Sequence, residues 1–111
     1  MSPLEQKSED VADVTLAWYV NAVKNNWHLR DVFNQFVRSA TSIGANIAES
    51  KFAQSDNDYK SKMNIALKEA NETKYWIVRL TKLNVIDVET ETHLFTNVED
   101  IIRILISLCR K

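Results

Sequence analysis

With a single glycine, Gly44, and a single proline, Pro3, in 111 residues, this chain has almost no means of turning tightly. Hairpins lean on glycine for the positive backbone dihedrals of their turns, and β-turns use proline to preset one. The scarcity of both predicts long helices joined by short connections. Hydrophobic residues at 45% and charged residues at 26% are ordinary for a globular chain, and the length suits a single domain over 1–111.

Apolar spacing supplies the helices. Ser8 is placed as the N-cap of a first helix over about 9–25, with Glu9 and Asp10 in its first turn, where the helix dipole favours acids. Residues 1–8 are expected to fray. This helix carries one stripe through Val11, Val14, Trp18 and Ala22 and a second through Leu16, Val20, Val23 and Trp27, so it is expected to be covered on more than one side. Asn25-Asn26 is read as its stop. A second helix over about 29–52 places Leu29, Phe33, Phe36, Ala40, Ile43 and Ile47 at alternating steps of four and three, the repeat of a bundle seam. Ser55 with Asp58 three residues on starts a third helix, 56–83, whose seam runs through Tyr59, Met63, Ala66, Ala70, Thr73, Ile77 and Leu80. Asn84 is the expected residue just past its end. Asp87 caps a fourth helix, 88–110, with Leu94, Phe95, Val98, Ile101, Ile102, Leu105 and Leu108 on its apolar face. The fold class is all-α, an antiparallel up-down-up-down four-helix bundle.

Gly44 lies inside the second helix, where glycine costs roughly 1 kcal/mol against alanine. Ala40, Gly44 and Ala48 recur every four residues and predict a small-residue ridge that lets another helix approach closely. Ser39, Ser42, Asn46 and Glu49 form a polar edge beside it.

The chemistry-bearing residues are sparse. A di-iron bundle needs Glu-x-x-His on inward faces, but residue 25 is Asn before His28 and residue 90 is Thr before His93. Cys109 is alone, which excludes an internal disulfide. Small four-helix RNases use an Arg with a His about five residues later, and none of Arg38, Arg79 or Arg103 has one. With no phosphate loop and no Ser-His-Asp set, the chain is expected to be non-enzymatic, with no metal, no cofactor and no small-molecule substrate. The net charge of −1 and pI of about 6.1 lack the basic footprint of a duplex-binding domain, for which a pI above roughly 9 is the flag.

Charge is nevertheless sorted. Residues 51–82 hold seven Lys/Arg against four acids, and 84–100 hold five acids and no Lys/Arg. Lys51, Lys60, Lys68, Lys74 and Lys82 are candidates for nucleic-acid contact. The aromatics Tyr19, Trp27 and Trp76 fall off the cleanest stripes and are candidates for an oligomer interface. No run is apolar enough to span a membrane, and the polar, acidic N-terminus is unlike a signal peptide, so a cytoplasmic location is expected.

The run Arg38-Ser39-Ala40-Thr41-Ser42-Ile43-Gly44-Ala45-Asn46-Ile47-Ala48-Glu49, with a helix opening at Ser55 and the loop Leu83-Asn84-Val85-Ile86-Asp87, resembles the four-helix-bundle proteins of the 23S ribosomal RNA intervening-sequence (S23-like) family. The resemblance spans about 9–110. The family usually follows the glutamate with glycine and a basic loop, where this chain has Ser50-Lys51-Phe52, and it commonly has glycine where Asn84 stands. The resemblance implies a homopentameric ring, no enzymatic activity, and an RNA or protein partner. A related branch serves as the accessory protein of diversity-generating retroelements. The functional expectation is a homo-oligomeric scaffold binding RNA or a ribonucleoprotein, with a purely protein-binding oligomer as the alternative.

Overall fold

Helix α1 covers Pro3–Asn25, α2 Arg30–Ser50, α3 Asp56–Lys82 and α4 Val88–Cys109, with one 3₁₀ turn, Trp27–Leu29, between the first two. The computed structural model describes residues 1–110. Each helix packs on its neighbours in chain order, and α4 closes back onto α1. Cross-helix pairs give the sense of each seam. Lys7 meets Asp100 while Trp18 reaches Val85, so α1 and α4 run in opposite directions. Arg38 meets Glu72 while Glu49 meets Lys62, and Trp18 meets Phe33 and Phe36 while Glu5 meets Lys51. The result is an antiparallel bundle of 45 × 22 × 21 Å.

The seam residues form the core as their spacing requires. Phe33, Phe36, Ala40 and Ile43 of α2 are fully buried with Ala66, Ala70, Ile77 and Leu80 of α3 and Leu94, Val98, Ile101 and Leu105 of α4. Trp18 lies edge-on to Phe33 and Phe36 at 4.8 and 5.3 Å and donates its indole N–H to the Val85 carbonyl at 3.1 Å. That bond satisfies a donor the core cannot.

Three caps match expectation. Ser55 Oγ accepts from Asp58 N at 3.0 Å, and Asp87 accepts from Thr90 N at 3.0 Å. Asn84 has φ 58°, the left-handed region that asparagine tolerates, and its N–H meets the Thr81 carbonyl while Val85 N–H meets that of Leu80. This double closure ends α3 without glycine, and it lets Ile86 turn back into the core.

The N-terminus corrects the reading. Residues 1–8 do not fray. Ser2 Oγ accepts from Glu5 N at 3.2 Å and Glu5 reaches back to Ser2 N, a reciprocal capping box with Pro3 in the first turn. Ser8 is no cap. It is buried in α1, donating to the Glu5 carbonyl at 3.0 Å. Leu4, too isolated for a periodicity signal, is buried and anchors this turn. At the other end Asn26 has φ −140°, outside the left-handed region, and caps α1 through its side-chain amide on the Ala22 carbonyl. The second stripe of α1 is not covered as expected. Leu16, Val20 and Trp27 are 44%, 55% and 64% exposed, and only Val23 packs at the core's edge.

Candidate functional site

The small-residue ridge turns as it climbs. A step of four residues over-rotates a 3.6-residue helix by about 40°. Ala40 is therefore in the core, Gly44 faces α1, and Ala48 reaches solvent. A side-chain Cβ at Gly44 would meet the Ser8 carbonyl oxygen and Oγ at 3.5 Å, an ordinary van der Waals contact. The α1 backbone thus passes close to α2 at Gly44 and still leaves room for a methyl group. Outside this contact runs a groove between α1 and α2, lined by Ala12, Thr41, Gly44, Ala45 and Ala48. Helical spacing carries Leu16 and Val20 along α1 from the groove wall at Ala12 and Asp13.

The polar edge is directed at α3. Ser39 is buried, accepts from Thr73 Oγ1 at 3.0 Å and donates to the Phe36 carbonyl at 3.0 Å. Ser42 and Asn46 close onto carbonyls of their own helix, those of Arg38 at 2.7 Å and Ser42 at 2.8 Å. Glu49 is exposed and pairs with Lys62 at 3.5 Å. These contacts fasten α2 and leave no aimed acid or base.

The candidate interface aromatics do not form one patch. Tyr19 is half-buried on α1, and Trp27 stands at the α1–α2 corner under the Arg30 guanidinium at 4.8 Å. Trp76 is half-buried on α3, where its indole N–H donates to Glu72 at 3.2 Å and its ring lies edge-on to Tyr75. The Glu72 carboxylate also takes Arg38, and its hydrogen bond holds that guanidinium's pKa above the usual range.

The lysine row is interrupted. Lys51 pairs with Glu5, and Lys74 pairs with Glu99 at 2.8 Å beside the Phe95 ring. Among the described residues Lys60, Lys68 and Lys82 make no ion pair, and Lys60, Lys68 and Lys82 are exposed. Arg79, outside the lysine set, lies over Tyr75 at 5.1 Å. A joint signal was available in the sequence: an Arg three or four residues after an exposed aromatic, as in Trp27–Arg30 and Tyr75–Arg79, is one helical turn away and stacks on it.

His93 Nε2 lies 2.5 Å from Asp10 and 3.3 Å from Asn97, joining α4 to α1 at the surface. Among the described residues no cluster of three His, Cys, Asp or Glu is set to hold a metal ion, and no helix is long and apolar enough to cross a membrane.

Residues 4–107 match the family described as 23S rRNA-intervening sequence protein. No curated protein matches the chain. Among solved structures, it is similar to a protein of unknown function from the S23 ribosomal protein family of Bacteroides thetaiotaomicron VPI-5482, with 37% identity and a TM-score of 0.87 over 97% of this chain and 99% of that one. Neither description names an enzymatic activity.

Proposed function

The chain belongs to the family of 23S rRNA-intervening sequence proteins, and from that membership we propose that it is a non-enzymatic, homo-oligomeric helical scaffold that receives RNA or a ribonucleoprotein partner. The observation that carries the oligomer is the outer face of α1. Leu16 and Val20 stand exposed beside a groove between α1 and α2 lined by Ala12, Gly44, Ala45 and Ala48 together with the charged Glu5, Glu9, Asp13 and Lys51. Bulky apolar side chains and a shallow groove on one chain suit a contact in which the strip of one copy enters the groove of the next, and such a head-to-tail contact closes into a ring when the rotation allows. A ring of five is the arrangement the family resemblance implies.

Light scattering tests this reading. The expected mass is a multiple of 12.8 kDa, five times that value for the pentamer. The double variant Leu16→Glu, Val20→Glu is expected to shift the mass to a single chain while helical circular dichroism stays intact. A wild-type chain that remains at 12.8 kDa at tens of micromolar overturns it.

The RNA half rests on Arg30 over Trp27, Arg79 over Tyr75 and the unpaired Lys60, Lys68 and Lys82. Aromatic faces with guanidinium neighbours accept stacked bases without sequence preference, and repetition around an oligomer multiplies a weak contact. Single-stranded RNA should be retained at low salt and released as salt rises. The second reading, a purely protein-binding oligomer, is favoured by the ion pairs that occupy Lys51, Lys62 and Lys74 and by the net charge of −1. Partners that survive nuclease treatment would select it.

A further inference from the structure

One end of the bundle carries an open, mainly apolar cleft. The start of α1, the end of α2, the start of α3 and the end of α4 surround a cavity of about 500 Å³. Its walls are Leu4, Ile47, Met63, Ile104 and Leu108. Spacing assigns Ile47, Tyr59, Met63 and Leu108 to the core, yet Tyr59 is 38% exposed and Leu108 only half-buried. Leu4, Ile47 and Met63 form its nearly buried floor, and Tyr59, Ile104 and Leu108 its more open sides. A cleft of this volume falls in the range of ligand sites.

The walls say what enters. Ser50 lines the cavity, but its hydroxyl is spent on the Ile47 carbonyl at 2.6 Å. Apart from the Tyr59 hydroxyl, the cleft therefore offers little to a sugar, a base or a peptide, whose polar groups would be stripped of water and left unpaired. The mouth is different. Lys51 lies there, paired with Glu5, and the Glu5 carboxylate is also engaged by the N–H and hydroxyl of Ser2. An ammonium has three donors, so Lys51 keeps donors for a second anion. The α1 N-terminus, at Ser2 and Pro3, lines the same mouth and adds the positive end of a helix dipole.

We propose that this end of the bundle is a binding site for a medium-chain monocarboxylate, its alkyl chain among Leu4, Met63, Ile104 and Leu108 and its carboxylate at Lys51. No small-molecule ligand is foreseen from the sequence, because the residues that build the site read as ordinary core. Glu5, Ile47 and Lys51 also line the α1–α2 groove, so a second copy seated there would meet the mouth of this site.

Isothermal titration of the full chain with decanoate, below its micelle-forming concentration, is the test, with decan-1-ol and decylamine as controls. Decanoate should saturate at one per chain, bind more tightly than the alcohol, and raise the melting temperature. Met63→Trp or Leu108→Trp, each checked for helical circular dichroism, should abolish the heat by filling the cleft. Lys51→Gln should weaken decanoate about two- to fivefold, the range of an exposed ion pair, and leave decanol unchanged. No saturable heat with folded protein, equal binding in both filled variants, or decylamine binding as well as decanoate overturns the proposal. Heat that fades as protein concentration and self-association rise also overturns it, since a second copy would then close the mouth.

Discussion

Gly44 is the residue at which local propensity and packing disagree. Its helix pays for a glycine, while a Cβ there would find Ser8 at ordinary contact distance. Gly44→Ala is expected to raise the stability of the bundle by up to about 1 kcal/mol, the helix-propensity gain, read as a higher midpoint in denaturant. Gly44→Leu should cost about 1–3 kcal/mol, because the longer side chain meets the backbone of α1 at Ser8. Thr15 is the second such residue. Its hydroxyl is fully buried and finds no partner. An unsatisfied buried group costs about 1–3 kcal/mol, so Thr15→Val, which keeps the shape, should melt several degrees higher. A lower melting point for Thr15→Val would mean that the hydroxyl is satisfied in solution.

At the scale of helices, legibility followed the physics of each signal. The seams of α2, α3 and α4 repeat over many turns, so Phe33, Ile77 and Leu105 could be assigned to the core from spacing alone. Ser55, Asn84 and Asp87 were readable because a cap needs particular side chains at particular offsets. The first turn of α1 was not readable. Leu4 is a lone apolar residue in a polar run, and Ser2, Pro3 and Glu5 precede any periodic signal, so Ser8 took the cap's place. Ala40, Gly44 and Ala48 are adjacent by spacing yet meet core, α1 and solvent in turn, since a four-residue repeat drifts off one face. Which stripe of α1 faces inward, and that Tyr59 borders an open cleft, depend on where the neighbouring helices lie. Leu4→Ala is therefore expected to cost about 2 kcal/mol or more in chemical denaturation, although residues 1–8 read as a leader. Acid should weaken the starts of α1 and α4 and the Lys7–Asp100 pair between them. Hydrogen bonding from Lys51 lowers the Glu5 pKa, from Thr90 that of Asp87, and from Lys7 that of Asp100. Carboxyls depressed by folding lend stability in full above the ordinary carboxylate range and lose it as pH falls through their lowered values. The melting temperature should fall from pH 5 to pH 2, and less steeply in Asp87→Asn.

For the molecule as a whole, the order in which the helices meet matters as much as what they bury. Three of the four seams join helices consecutive in the chain, and only α1–α4 links distant segments. That closing seam holds Lys7 to Asp100, Asp10 to His93 and Asn97, and the Trp18 indole to Val85. Topologies dominated by neighbouring pairings close small loops and cross low barriers, so refolding of the single chain in microseconds to milliseconds is expected. Consecutive hairpins can zip before the ring shuts, which makes the α1–α4 seam the last to form and the first to open. Asp10→Ala and Lys7→Ala should consequently accelerate unfolding while leaving the refolding rate nearly unchanged in stopped-flow measurements. A substitution inside the α2–α3 hairpin, such as Ile77→Val, should slow refolding instead. Native-state hydrogen exchange would register the same hierarchy, with the amides of α1 exchanging through a partial opening that leaves those of α2 and α3 protected.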